Sequence, residues 1–388
     1  MNRLKSFLGK NISLLEDRWD ELRSRFSMRM NWNDQIQIVP YRSYGTAQRM
    51  YVKGRVLEDK QIASAADEDT ILNNLLNMYK RFESDEVPGA TLKITVVNQD
   101  HNVVTDKEGY FVLKFNPDQP VINEELWHRI PIKLTGAPIP FEDGLSVYAE
   151  VMIPPPDAEY GIISDIDDTI VRTQATSLLA MGRNTFLNNA RTRLPFPGVA
   201  EFYRALQLGR NGKRNNPIFY VSSSPWNLYD LLIDFLDINK IPQGPIMLRD
   251  FGFDHKKEDR GHMGHKLKEI EQILESYPDL QFILIGDSGQ EDPAIYHEVV
   301  KRHPGRILAI YIRDVHIAAR AKIATAISES LRSEKVEMLI VSDTVAAAEH
   351  AAAAGLIYSD DIPAIEQDKN EDEGSAPGKI EPKILKTL

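Results

Sequence analysis

The sequence of 388 residues contains no cysteine, so it can form neither a disulfide nor a thiolate metal site. It has no run of about eighteen apolar residues that could span a membrane, and its N-terminus lacks the continuous apolar core of a signal peptide. Acidic residues outnumber basic ones, 57 to 46, and the net charge of −11 argues against nucleic acid as a partner. These features predict a cytoplasmic protein that does not bind nucleic acid.

The hydrophobic pattern divides the chain into four parts. Residues 1–35 repeat apolar side chains every three or four positions, which predicts an amphipathic helix. Residues 36–153 contain short alternating runs between turn residues, typical of a small β-sandwich-like domain, with a helical insertion near 71–82. Residues 159–357 alternate strands with helices, which predicts a doubly wound, mostly parallel α/β sheet. Residues 358–388 are acidic and poor in large apolar groups, which predicts a disordered tail.

The polar face of the N-terminal helix is basic within an acidic chain. Residues 1–30 carry seven Lys or Arg and four Asp or Glu, a net charge of +3. Such a helix can lie on an anionic bilayer, which would make the protein peripherally membrane-associated. The acids that interrupt this face favour the alternative, in which the helix docks on the protein itself or on a second subunit. The sequence leaves the oligomeric state open.

Three acids follow an apolar run at residues 161–170. The run predicts a buried strand, and Asp165 and Asp167 would lie at its carboxyl end, where ligands bind in open α/β sheets. With Asp168 they form a group of carboxylates that repel one another and need a cation or a hydrogen-bonding loop. One carboxylate can attack phosphorus, and another can act as general acid and then base. A plain acidic loop is the alternative, while the residues after Asp168 depart from the EF-hand calcium loop.

Three later segments add complementary chemistry at strand ends and helix starts. Ser222 follows a buried-strand pattern and could hold a phosphate oxygen, although serines there also cap helices. Lys266 begins a periodic helix, where its ammonium group could neutralise a phosphoryl group. Asp287 also follows a buried-strand pattern, and its oxygens would suit Mg²⁺ together with those of Asp292. Asp292 could instead cap the helix that begins at Pro293.

These four segments, in this order, resemble the four motifs of the haloacid dehalogenase superfamily of phosphatases. Residues 165–169 match D-x-D-x-T, Ser222 matches the strand-end hydroxyl, Lys266 matches the lysine, and residues 286–292 match G-D-x-x-x-x-D. The strings SDIDDTI, VSSSPW and GDSGQEDPAIY are similar to the actin-patch-associated phosphatidate phosphatase family of fungi and its bacterial relatives. The P-Y-R-x-Y-G-T string at residues 40–46 is similar to those bacterial relatives too.

The resemblance implies a Mg²⁺-dependent phosphomonoesterase whose leading substrate is phosphatidate, a phospholipid. It implies that Asp165 attacks phosphorus and that Asp167 serves as general acid and base. Ser222 and Lys266 would bind the transferring phosphoryl oxygens. The expected metal-binding residues are Asp165, Asp167 through its main-chain carbonyl, Asp287 and Asp292.

We also expect a second set of residues to contact the substrate: Thr169, Ser223, Trp226 and Arg172. His265 is expected near the site. Three other functions stay open at this point. The chain could hydrolyse a soluble phosphate ester, it could be a receiver-like domain that accepts phosphate on aspartate, or it could be an interaction protein whose β-sandwich-like domain and tail recruit partners.

Overall fold

The computed structural model describes most of the chain. Its described residues are 35–59, 86–121, 125–167, 169–170, 196–213, 215–249 and 261–374. The helix predicted over residues 1–35 and the helical insertion predicted near 71–82 therefore lie outside the described residues. Among the helices of the described ranges, none combines the length and the apolar character needed to cross a lipid bilayer.

The N-terminal part is an eight-stranded sheet around one apolar core. Its sheet order is β1-β3-β2-β8-β7-β4-β5, and β6 pairs with β3. The ring centroids of His101 and Phe115 are 4.5 Å apart, which brings β5 at one end of the sheet against β6. We call residues 35–153 the β-domain. Its strands are β1 Gln35–Pro40, β2 Ser43–Thr46, β3 Arg49–Asp59, β4 Thr91–Val96, β5 Gln99–Val104, β6 Tyr110–Phe115, β7 Trp127–Gly136 and β8 Ser146–Met152.

The second part is a six-stranded sheet in which every pair of neighbouring strands is parallel. Its order is β11-β10-β9-β12-β13-β14, so the first strand, β9, lies inside the sheet and the order reverses there. This confirms the predicted parallel α/β sheet. The strands are β9 Gly161–Ser164, β10 Ile218–Pro225, β11 Ile246–Arg249, β12 Phe282–Asp287, β13 Ile307–Arg313 and β14 Glu337–Val341.

Helices cover both faces of the parallel sheet. Neighbouring residues of a strand enter different cores: Ile162 belongs to one apolar cluster and Ile163 to the other. This follows from the period of two in a strand, which sends successive side chains to opposite faces. The helices are α1 Val199–Leu208, α2 Tyr229–Ile238, α3 Gly261–Ser276, α4 Asp292–Arg302, α5 Ala318–Leu331, α6 Thr344–Ala353 and α7 Ile362–Gly374.

The prediction of a disordered tail over residues 358–388 is wrong for α7. Ile365 of this helix is fully buried. Asp372 Oδ2 accepts the Gly198 main-chain N–H at 3.0 Å, and Asp368 Oδ2 accepts that of Glu201 at 3.2 Å. The first N–H groups of a helix have no partner within it and carry partial positive charge. The acids of α7 supply the missing acceptors at the start of α1, so they are ordered by contacts that composition does not reveal.

Candidate active site

The site lies where the order of the parallel sheet reverses. Asp165 follows β9, Ser222 lies in β10 on one side, and Asp287 ends β12 on the other. In open α/β sheets the crevice at such a switch point binds ligands. Seven of the predicted site residues meet here, each at most 7% exposed: Asp165, Asp167, Thr169, Ser222, Lys266, Asp287 and Asp292.

Asp165 is held on both carboxylate oxygens. Its Oδ1 lies 2.7 Å from Lys266 Nζ, and its Oδ2 accepts the Thr169 hydroxyl at 3.3 Å. The Asp165 main-chain N–H donates to the carbonyl of Ile285 at 2.9 Å, which continues the pairing of β9 with β12. A carboxylate fixed in this way presents a defined orientation for attack on a substrate.

Lys266 bridges two acids. Its Nζ lies 2.7 Å from Asp165 Oδ1 and 2.7 Å from Asp292 Oδ1. Burial by itself would lower the pKa of Lys266, but the carboxylates of Asp165 and Asp292 raise it, so the side chain stays an ammonium. Its positive charge is therefore fixed beside Asp165.

Asp292 belongs to the site and does not cap its helix. The N-cap position of α4 is Glu291, whose side chain makes no capping hydrogen bond, and Pro293 lies in the first turn as predicted. Asp292 Oδ2 accepts the Asp287 main-chain N–H at 3.1 Å. The close approach of the Asp292 side chain also explains why position 286 is a glycine, since a Cβ there would lie 2.6 Å from Asp292 Oδ2.

Asp167 is oriented by two serines. Its Oδ2 accepts the hydroxyl of Ser222 at 2.9 Å and that of Ser224 at 3.4 Å. The main-chain N–H of Ser224 donates to Ser222 Oγ at 3.0 Å, which ties the two serines together. Gln290 Nε2 donates to the Asp167 carbonyl at 3.2 Å. Sequence reasoning assigned no site role to Ser224 or Gln290.

The acids form a group that suits a hard divalent cation. Carboxylate oxygens of Asp165, Asp287 and Asp292 lie within 4.8 Å of one another, and all three residues are buried. Burial raises the pKa of Asp165, Lys266 lowers it, and Asp292 with the other acids raises it again, for a net upward shift. Among the described residues, Asp165, Asp287 and Asp292 bring three carboxylates together beside the ammonium of Lys266, so an added cation would offset their mutual repulsion. Oxygen donors of this kind are those that Mg²⁺ prefers.

Of the four predicted substrate contacts, Thr169 lies in the cluster, where its hydroxyl donates to Asp165. Ser223 is 7% exposed, and its Oγ finds no hydrogen-bond partner among the described residues. The indole of Trp226 stacks on Tyr41 of the β-domain, with ring centroids 4.7 Å apart. Arg172 lies outside the described residues, as does Asp168.

His265 is the neighbour of Lys266 on α3. The pKa of His265 is lowered from the ordinary 6.5 to about 4, chiefly by burial and next by the charge of Arg249, while a main-chain contact with Ser222 acts in the opposite direction. The imidazole is therefore neutral at physiological pH. The contact with the Ser222 main chain agrees with the expectation that His265 lies near the site.

This shift predicts a loss of stability in mild acid. Between pH 6.5 and pH 4 the unfolded chain binds a proton at His265 that the folded chain does not, so the free energy of unfolding falls as pH falls. The expected contribution is about 3 kcal/mol over that window. Urea unfolding of wild type and His265→Gln at several pH values measures it, and the variant should show the shallower dependence. Parallel pH profiles for the two proteins would contradict the assignment.

Comparisons with known proteins now bear on this geometry. Residues 160–314 match the family model described as the catalytic domain of phosphatidate phosphatase APP1. Residues 160–314 are therefore similar to an APP1-type catalytic domain. The match contains Asp165, Ser222, Lys266 and Asp287. It confirms the family resemblance stated from the sequence and the expectation of a phosphatase-type domain.

Two curated fungal proteins are similar to the chain. Phosphatidate phosphatase APP1 of Saccharomyces cerevisiae is 36% identical over 155 residues, covering 39% of this chain and 25% of the yeast protein. The uncharacterized protein C29B5.04c of Schizosaccharomyces pombe is 28% identical over 229 residues, covering 55% of this chain and 34% of that protein. The chain thus spans between a quarter and about a third of the length of these two relatives.

Proposed function

We propose that the protein is a Mg²⁺-dependent phosphomonoesterase with a haloacid dehalogenase-like fold, which forms an aspartyl-phosphate on Asp165 and acts on phosphatidate. The observation that carries this proposal is the setting of Asp165. Its carboxylate is buried where the sheet order reverses, it touches the ammonium of Lys266, and two further acids stand within 4.8 Å. That combination suits phosphoryl transfer, in which positioning and electrostatic stabilisation supply most of the catalysis.

The roles follow from the contacts of each residue. Asp165 attacks phosphorus, and the bond from phosphorus to the leaving oxygen breaks as the aspartyl-phosphate forms. Asp167, oriented by Ser222 and Ser224, donates its proton to that leaving oxygen. In the second step Asp167 takes a proton from the water that attacks the aspartyl-phosphate, which releases inorganic phosphate and restores Asp165.

In this proposal, Lys266 and a bound Mg²⁺ would both supply positive charge to the site. Lys266 neutralises part of the charge shared by Asp165 and the incoming phosphoryl group. Asp165, the Asp167 carbonyl, Asp287 and Asp292 would hold Mg²⁺, which would offset the charge between the nucleophile and the phosphoryl oxygens. Asp287 is ready for that role because the N–H groups of Gly289 and Gln290 hold its Oδ1 at 2.6 and 3.0 Å.

The choice of phosphatidate rests on the yeast relative, which is named a phosphatidate phosphatase. Hydrolysis would give diacylglycerol and phosphate. Such a substrate lies in a membrane surface, so the protein would act there as a peripheral enzyme or on dispersed lipid. A soluble phosphate ester is the alternative that the same chemistry allows, and the experiment below separates the two.

A substrate panel with controlled Mg²⁺ tests the proposal. We expect the purified chain to release phosphate faster from detergent-dispersed phosphatidate than from sugar or nucleotide phosphates. Removal of Mg²⁺ with EDTA should lower turnover by about 10²-fold or more, and added Mg²⁺ should restore it. In Asp287→Asn, half-saturation should need more Mg²⁺ than in wild type. Full activity in EDTA would refute the metal dependence, and a faster soluble ester would refute the choice of phosphatidate.

A further inference from the structure

The β-domain docks on the parallel-sheet domain through the P-Y-R-x-Y-G-T string at residues 40–46, which we call the docking segment. The main-chain N–H of Arg42 donates to the Tyr229 hydroxyl at 2.6 Å, and Arg42 Nη2 lies 3.1 Å from Asp237 Oδ1. The Tyr277 hydroxyl donates to the carbonyl of Gly45 at 2.9 Å. Tyr229 and Asp237 belong to α2, whereas Tyr277 follows α3. Because these helices pack on opposite faces of the parallel sheet, the docking segment contacts both layers of helices.

One residue of the docking segment touches the loop that leaves β10. Tyr41 is 6% exposed, and its ring lies 4.7 Å from that of Trp226 at an interplanar angle of 17°. The ring centroids of Tyr41 and Tyr229 are 4.3 Å apart, so Tyr229 belongs to the same aromatic cluster. A second β-domain residue, Lys53, places its Nζ 3.8 Å from the centre of the Trp226 ring. The indole is thus held by two side chains that come from the other domain.

Trp226 stands at the end of a short, stiff stretch that begins at the catalytic centre. Ser222 and Ser224 hold Asp167 Oδ2, and two residues later the chain reaches the indole. Between them Pro225 has φ −73° and ψ 154°, and its ring fixes φ. A displacement of Trp226 would therefore act, through this stretch, on the serines that orient Asp167. Asp165 has different supports, since Lys266 and Thr169 hold its carboxylate.

We propose that Tyr41 of the β-domain is a positioning residue for the general acid: by holding Trp226 it fixes the Ser222–Ser224 stretch and so orients Asp167. The inference rests on the proposed function, because it assigns Asp167 the proton donated to the leaving group. In this role the β-domain contributes to catalysis at the site in the parallel-sheet domain.

The role predicts a loss that depends on the leaving group. An alkoxide leaving group needs the proton of Asp167, whereas p-nitrophenolate leaves without one. In Tyr41→Ala we expect kcat/KM to fall by about 10-fold or more for an alkyl phosphate and by less than about 3-fold for p-nitrophenyl phosphate. The parameter kcat/KM is chosen because it reports on the first chemical step and excludes hydrolysis of the aspartyl-phosphate. Tyr41→Phe keeps the stacked ring and should stay within about 2-fold of wild type for both esters.

The controls separate positioning from general damage. Ile132→Ala removes buried volume inside the β-domain core, away from the docking segment, so it should lower thermal stability without changing the ratio of the two kcat/KM values. Should Tyr41→Ala lose its cooperative unfolding transition, Tyr41→Leu, which keeps most of the apolar volume without the stacked ring, takes its place. Equal losses for the two esters in the Tyr41 variant would overturn the positioning role alone. A wild type that releases phosphate neither from these esters nor from phosphatidate would overturn the proposed function.

Discussion

Asp165→Asn is expected to lower the rate of phosphate release by about 10⁴-fold or more. The amide has nearly the shape of the carboxylate but cannot attack phosphorus, so no aspartyl-phosphate forms. The effect should reach every phosphate ester, because each of them must be attacked by the same nucleophile before any phosphate is released. Phosphate release from phosphatidate and from p-nitrophenyl phosphate, each with saturating Mg²⁺, measures it.

Two further measurements make this result specific. Asp157 precedes β9 at the opposite edge of the sheet and pairs with Lys213 on the surface, so Asp157→Asn should retain wild-type activity. A rapid quench of wild type with labelled substrate should trap label on the protein, and the Asp165→Asn variant should trap none. Undiminished turnover in Asp165→Asn would remove the nucleophile from the proposed mechanism.

Lys266→Met is expected to damage both catalysis and stability. The side chain keeps its length but loses the ammonium that lies 2.7 Å from both Asp165 and Asp292. Loss of one fixed charge beside the reacting group should lower kcat/KM by about 10²- to 10³-fold. Breaking a buried pair by removing one partner costs about 3–5 kcal/mol, because the acids stay buried without their counter-charge.

Magnesium should partly reverse the stability loss in this variant. A cation that binds the folded site and not the unfolded chain raises the free energy of unfolding, and it would replace part of the missing charge. Urea unfolding of wild type and Lys266→Met, in EDTA and in Mg²⁺, measures the effect. Lys268→Met, an exposed neighbour on the same helix, is the matched control and should behave as wild type. Equal stability of Lys266→Met and wild type in EDTA would show that the buried charges do not depend on Lys266.

The parallel sheet could be predicted because its inner strands are buried on both faces. Such strands appear in the sequence as continuous apolar runs, as at residues 218–221 and 282–285, and each run ends at the sheet edge that binds ligands. The polar residues after each run were therefore placed correctly at one edge. Asp292 could not be decided from sequence, because a helix cap and a buried site residue have the same pattern; its contacts with Lys266 and Asp287 decide it.

Other features of the structure could not be predicted from the sequence pattern of the segments that form them. Strand β5 is polar, and its side chains are half-buried or exposed throughout; it forms because its backbone pairs with β4 after a turn in which Val97 and Asn98 both have positive φ. Helix α7 depends on partners in α1 that lie far away in sequence. The contact of Gln290 with the Asp167 carbonyl likewise depends on two loops meeting, and no pattern within either loop predicts it.

The acidic partners of α1 lie near the far end of the chain. The two bonds from Gly198 to Asp372 and from Glu201 to Asp368 span 174 and 167 residues. Because a ribosome makes the protein from its N-terminus, α1 is synthesised long before these acceptors exist. A nascent chain that has reached only residue 361 carries every strand of the parallel sheet, yet the first turn of α1 still faces water. The synthesis of α7, and not the arrival of the site residues, therefore completes this part of the fold.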